Sequence, residues 1–197
     1  MRRCSWSEIN EKMRTYHDEE WGVPVFDDTK QFEFLTLEVM QCGLSWNTVL
    51  QKREIIRAAF EDFAIDTIAA YDECDINRIL AINGMIRSPR KIKAVIANAG
   101  AVRQVQQAFG TFSEYLWHFT QGNVVTYKEH EEGRIPPKNK LSERIAKDLK
   151  RRGFTYVGPV TIYSHLQACG IINDHSKECF RRAILTKNRK PVRVNDE

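Results

Sequence analysis

The sequence predicts an all-α fold, on three observations. Apolar residues recur at three- and four-residue spacing over long stretches. Helix-starting and helix-stopping residues bracket those stretches: Asp27 and Asp28 before one, Gly43 after it, and Ser88-Pro89 before another. Runs that alternate apolar and polar residues are absent, apart from an isolated strand candidate at residues 123–127. At 197 residues the chain can bury a core without disulfides and suits one domain, read as residues 1–186, with a flexible basic tail over 187–197.

The elements follow in order. Asp27 and Asp28 precede Phe32, Phe34, Leu35, Leu37 and Val39, a mostly buried helix that ends near Gly43. A second helix starts near Trp46 and turns Val49, Leu50, Ile56, Ala59 and Phe60 inward. Ile65, Ile68 and Ala69 mark a short third. Asp75 reads as the N-cap of a fourth, before Ile76, Ile79 and Leu80. Ser88 is a suitable N-cap for a fifth, and Pro89 sits where a missing N–H is harmless; Ile92, Val95, Ile96, Ala99 and Val102 then keep helical spacing. Further helices are expected over residues 111–119, 141–152, 159–169 and 174–185. Gly133, Pro136 and Pro137 interrupt a polar stretch at 129–140, a surface loop.

Composition narrows the function classes. Hydrophobic residues at 42% and charged residues at 28% fit an ordinary globular protein. The net charge of +4 permits a polyanionic partner without requiring one. Its placement says more: Arg87, Arg90, Lys91 and Lys93 cluster, as do Lys147, Lys150, Arg151 and Arg152. Five scattered cysteines argue against a secreted disulfide framework. The N-terminus shows no apolar signal-peptide core, and no apolar run is long enough to span a bilayer. A cytoplasmic protein with no membrane partner is expected.

Three constellations carry chemistry. The turn Asn83-Gly84-Met85-Ile86-Arg87 joins two helices, and a glycine turn beside a helix N-terminus presents N–H groups suited to a phosphate oxygen. Arg87, Arg90 and Lys91 add charge there; the same turn could equally be a plain helical hairpin with a solvated basic flank. His175 and Cys179 stand four apart, and on a helix they would share one face able to grip a metal. Cys4 and His17 could complete a tetrahedral set, although the spacing alone also fits a packed histidine and a buried thiol. Cys42, Cys74 and Cys169 read as core residues. Glu38 lies inside the apolar run Phe34-Leu35-Thr36-Leu37-Glu38-Val39-Met40, where a buried carboxylate is costly unless partnered. It is either a partner for donors on a ligand or a helix-surface acid. Trp6, Trp21 and Trp46, with Tyr16 among them, are concentrated in the first quarter of the chain and can pack a core or sandwich a flat base.

Several segments together carry a resemblance: Cys4-Ser5-Trp6, Tyr16-His17-Asp18-Glu19-Glu20-Trp21-Gly22-Val23-Pro24, Leu37-Glu38, Gly43-Leu44-Ser45-Trp46, Arg152-Gly153-Phe154 with Val157-Gly158, and Gln167-Ala168-Cys169-Gly170 through Asn173-Asp174-His175. From Cys4 to about Cys179 the chain resembles the bacterial 3-methyladenine DNA glycosylase I family. The resemblance implies a helix-hairpin-helix glycosylase fold in which a structural zinc joins the N- and C-terminal segments through Cys4, His17, His175 and Cys179. It puts Glu38 and Tyr16 on the catalytic residues that hydrogen-bond the base, Trp46 on the stacking ring, and Trp6 and Trp21 in the pocket wall. Gly84 and Arg87 are the expected DNA-backbone contacts, and Leu44 the residue that enters the gap left by a flipped nucleotide. Met13 stands where a tyrosine can occur in the family, which puts binding strength in question.

The implied activity is excision of 3-methyladenine from double-stranded alkylated DNA by base flipping, with free 3-methyladenine as product and the protein acting as a monomer. No aspartate occurs between Asp75 and Asp148 to support a sugar cation, and Arg87-Ser88 stands where a strand-cleaving relative would carry lysine. Both absences favour a monofunctional hydrolase that relies on a base already cationic. Two other classes fit the residues alone: a zinc protein that binds DNA without catalysis, and a helical interaction domain with a structural metal.

Overall fold

The computed structural model describes residues 2–131, 134–188 and 192–194. After a 3₁₀ turn at Ser5–Ile9, the helices are α1 (Glu11–Glu19), α2 (Asp28–Gln41), α3 (Trp46–Ala59), α4 (Ile65–Ala69), α5 (Glu73–Ala81), α6 (Pro89–Phe109), α7 (Phe112–His118), α8 (Lys128–Glu131), α9 (Lys140–Arg151), α10 (Pro159–Ala168) and α11 (Phe180–Asn188). Two short strands, β1 (Val125–Tyr127) and β2 (Val192–Val194), pair in parallel.

α2 is the axis of the molecule. Ten of its residues, Gln31 to Met40, are buried. It packs against α3, α6, α7 and α10. Phe32, Phe34, Phe60, Phe63 and Phe112 are fully buried in the core it shares with its neighbours. Its start is fixed twice. Asp27 accepts the N–H of Lys30 as N-cap. Asp28 then accepts the N–H groups of Phe112 and Ser113, both at 2.8 Å, and so caps α7 from outside.

An ion network binds α2 to α1 and α3. Arg53 donates to Glu20 at 2.6 and 2.7 Å and to Glu33 at 2.8 Å, while Lys30 reaches both acids. Burial works against ionised Glu20, but the hydrogen bonds of Arg53 and Lys30 outweigh it and hold the carboxyl at about 2.

Several expectations are corrected. The cap of α5 is Asp72, and Asp75 is the third helical residue, closing a reciprocal capping box. Ser88 occupies the N-cap position of α6, but its side chain makes no capping bond. Residues 173–179 are not helical: α11 starts at Phe180, so His175 and Cys179 meet through a turn in which Cys179 N–H donates to Ser176 C=O at 2.9 Å. The strand at 123–127 is not isolated, since Val125 pairs with Val192 and also bridges to Ile172. Cys74 is exposed at the start of α5 rather than in the core. α1 and the turn before it carry no clear helical apolar repeat and were not legible. Residues 132–133 of the expected loop, and 189–191 and 195–197 of the expected tail, lie outside the described residues. No helix among the described residues is long and apolar enough to cross a membrane.

Candidate functional site

α1 sets two neighbouring side chains to work on different tasks. Asn10 caps it through the N–H of Met13, and Asn10 Nδ2 donates to Asn47 Oδ1 at 2.7 Å, fixing α1 against α3. Met13, Tyr16 and His17 form its buried face. Tyr16 faces a cavity and His17 a cluster of side chains able to hold a metal.

The cavity has a volume of about 400 Å³, within the range that holds a small ligand. Trp6, Tyr16, Trp21 and Trp46 wall it, with Met13 and Ile9 beside them. Tyr16 and Trp46 stand 5.1 Å apart between ring centroids, and Trp6 and Trp21 5.0 Å apart. Glu38 enters this aromatic chamber from α2. Its residue is only 5% exposed, and no hydrogen bond or ion pair holds its carboxylate among the described residues. Burial pushes the carboxyl up to about 8. Burial first, and the nearby Glu38 second, raise the Tyr16 hydroxyl well above its ordinary range, so it stays a neutral donor. The indole N–H of Trp46 is likewise buried without a partner. A chamber with flat apolar walls and unspent polar groups is arranged for a flat, polar-edged molecule.

The cluster lies behind the chamber wall. Cys4, His17, His175 and Cys179 are all buried, with ligand atoms within 4.8 Å of one another. Cys179 Sγ lies 3.3 Å from His17 Nε2 and 3.5 Å from His175 Nδ1, and Cys4 Sγ lies 3.7 Å from His175 Nδ1. A tetrahedral zinc with bonds of about 2.0–2.3 Å needs ligand edges of roughly 3.3–3.8 Å; these three of the six edges fall in that range, and every edge is within 4.8 Å. The outward ring nitrogens are also committed: His17 Nδ1 to Asp18 at 2.8 Å, and His175 Nε2 to the Trp21 carbonyl at 3.0 Å. Ser176 N–H donates to Cys4 Sγ at 3.3 Å. Hydrogen bonds from Cys4, His17 and His175 lower the Cys179 thiol, while the thiol of Cys4 is raised by its bond to Cys179 and by burial. Gly22 makes this closeness feasible: its φ is +79°, and a Cβ there would meet His175 Nε2 at 2.8 Å.

Comparison with known proteins places this geometry. The methyladenine glycosylase family pattern matches residues 6–182. The chain belongs to the methyladenine glycosylase family. DNA-3-methyladenine glycosylase 1 of Escherichia coli K12 is 41% identical over 91% of this chain and 96% of its own. A crystal structure of 3-methyladenine DNA glycosylase I aligns with a TM-score of 0.86 at 43% identity, covering 91% of this chain and 98% of that one. A variant of 3-methyladenine DNA glycosylase I in complex with 3-methyladenine aligns at 0.86 with 33% identity, over 91% of this chain and 97% of that one.

In this family member the fold brings Tyr16, Glu38, Trp6, Trp21 and Trp46 to one cavity, and Cys4, His17, His175 and Cys179 to one buried cluster. Gly84, Arg87 and Leu44 lie outside the cavity lining. Gly84 turns the α5–α6 hairpin with φ +82°, its carbonyl accepting from Lys52. Arg87 and Arg90 are exposed and make no ion pair among the described residues. Leu44 is 40% exposed in the turn between α2 and α3, on a loop that reaches the cavity through Gln41 and Ser45. Lys91 departs from expectation. It is buried and donates at 2.8 Å to the Met40 carbonyl, closing the C-terminal end of α2 instead of joining the hairpin's basic flank. Sequence reading assigned nothing to Ser164 and Gln167, which line the cavity from α10; their three-residue separation on a helix was the available signal.

Proposed function

We propose that this protein excises 3-methyladenine from double-stranded alkylated DNA by hydrolysing the glycosidic bond of a flipped nucleotide, leaving an abasic site. The observation that carries the reading is Glu38: a buried carboxyl without a protein partner, facing a ring-walled cavity, in a member of the methyladenine glycosylase family. In the empty cavity near neutral pH this carboxyl is mostly protonated. An N3-methylated adenine in DNA is cationic, and its charge favours the carboxylate beside it. Unmethylated adenine brings no such charge. Glu38 therefore selects the damaged base electrostatically, Tyr16 donates to a ring nitrogen, and Trp46 stacks, with Trp6 and Trp21 closing the walls. The leaving base departs neutral, so expulsion needs little acid assistance, and water completes substitution at the sugar carbon.

Leu44 fills the place of the flipped nucleotide, while the Gly84 turn and Arg87 hold the flanking phosphates. Ser88 offers no nucleophilic amine, and Lys91 is spent on Met40, which supports a hydrolase without strand cleavage. The metal is zinc, held by Cys4, His17, His175 and Cys179; bound there it supplies cross-linking rather than reactivity, because four protein ligands leave no open position. Residues 1–186 act as one domain and as a monomer, with 187–197 as an appended basic segment. Glu38→Gln and Trp46→Ala test the cavity. Each retains the fold by circular dichroism and loses at least about tenfold in 3-methyladenine excision; near-wild-type excision by both rejects the assignment.

A further inference from the structure

Gln167 has no part in the reaction proposed above. Gln167 lines the chamber from α10, and its amide is not free to turn. Nε2 donates to Asp174 Oδ2 at 2.8 Å. That bond turns the amide nitrogen toward Asp174 and the amide oxygen away from it. Oε1, which makes no hydrogen bond among the described residues, is then what Gln167 offers to the cavity.

Asp174 is itself held rigidly. It is 2% exposed, with His130 Nδ1 at 2.7 Å from Oδ1 and the Tyr163 hydroxyl donating to Oδ2. Three elements thus converge on one carboxylate: α8 through His130, α10 through Tyr163 and Gln167, and the loop that carries His175. A buried network of this kind fixes orientation, since rotating any member leaves a polar atom unsatisfied.

We infer that Gln167 is a specificity-determining residue whose Oε1 accepts a hydrogen bond from the exocyclic 6-amino group of the bound base, with Asp174 as its positioning residue. The inference rests on the base-excision reading and names how the site recognises the base's identity apart from its charge. An acceptor at this place favours a 6-amino purine and opposes a 6-oxo purine, whose oxygen would meet another oxygen. Sites built to bond a substrate N–H reject analogues lacking it far more strongly than apolar pockets do.

The test is a thermodynamic cycle between the side chain and the amino group. Tryptophan fluorescence gives the affinities of free 3-methyladenine and of 3-methylpurine, which lacks the amine, for wild type and for Gln167→Leu. Melting temperature and metal content establish that the variant is folded and keeps its metal. Wild type is expected to prefer 3-methyladenine, and Gln167→Leu to lose roughly tenfold or more of that preference. A merely structural role lowers both affinities together and leaves the preference unchanged, which would overturn the inference while leaving base excision standing. If wild type binds neither base and releases none from methylated DNA, the underlying reading fails first.

Discussion

Glu38→Gln should stabilise the protein while disabling it. The Glu38 carboxyl ionises at about 8 in the folded chain against an ordinary 4.5, because burial penalises its charged form. A folded-state value raised above the unfolded one means that full stability is present below about 4.5 and is lost progressively as pH rises towards about 8. Each tenfold change in proton affinity is worth about 1.4 kcal/mol, so the penalty is roughly 1 kcal/mol at pH 5, 3 at pH 7 and 4 at pH 8. The amide occupies the same space and never ionises. Urea unfolding of both proteins at pH 5 and pH 8 therefore reads a stability difference that grows by about 3 kcal/mol in favour of Glu38→Gln. Ion pairs and metal ligands titrate alike in both proteins and cancel. Parallel pH dependences would refute the claim that Glu38 is buried unpartnered, and with it the proposed basis for selecting a cationic base.

Other outcomes follow from the same geometry. With a metal in the Cys–His cluster as proposed, its removal by a chelator should cost at least about 4 kcal/mol and lower Tm by roughly 10 °C, since it uncouples the two ends of the chain behind Trp21; metal analysis before and after, with calorimetry, checks this, and an unchanged Tm after complete loss of metal rejects the clasp. Arg87→Ala should leave Tm unchanged, because the side chain is exposed and unpaired, yet weaken duplex binding and reduce the salt slope by about 1; an unaltered slope removes Arg87 from the phosphate contacts. Gly84→Ala should destabilise by about 1–2 kcal/mol in urea unfolding, from its positive φ and a Cβ that would lie 2.8 Å from Ile55 Cδ1. Wild-type stability there would show that the hairpin turn can relax.

The long helices were legible because α3 and α6 each bury an apolar stripe and α2 carries a nearly continuous apolar run. α2, α3 and α6 begin within a residue of Asp27, Trp46 and Ser88, where the sequence places their starts. α1 was not legible: its buried set is only Met13, Tyr16 and His17, and two of these three carry polar groups toward the cavity and the Cys–His cluster. The segment after Asn173 read as helix because His175 and Cys179 mimic helical spacing, whereas the chain there is irregular with a turn at 177–178 and brings both side chains against Cys4 and His17. Lys91 illustrates the limit for charge. Periodicity shows a cation near the hairpin, but only the fold reveals the Met40 carbonyl that draws it inside. Gln167 was visible as part of a motif, yet its orientation depends on Asp174 and on His130, both distant from Glu38 in sequence.

The most direct measurement is the identity of the base released from duplex DNA methylated at adenine N3, read by chromatography beside the integrity of the strand. Free 3-methyladenine is expected, with strands that break only after alkali or heat acts on the abasic site. Tight binding without base release, or strand scission that accompanies release, would contradict it.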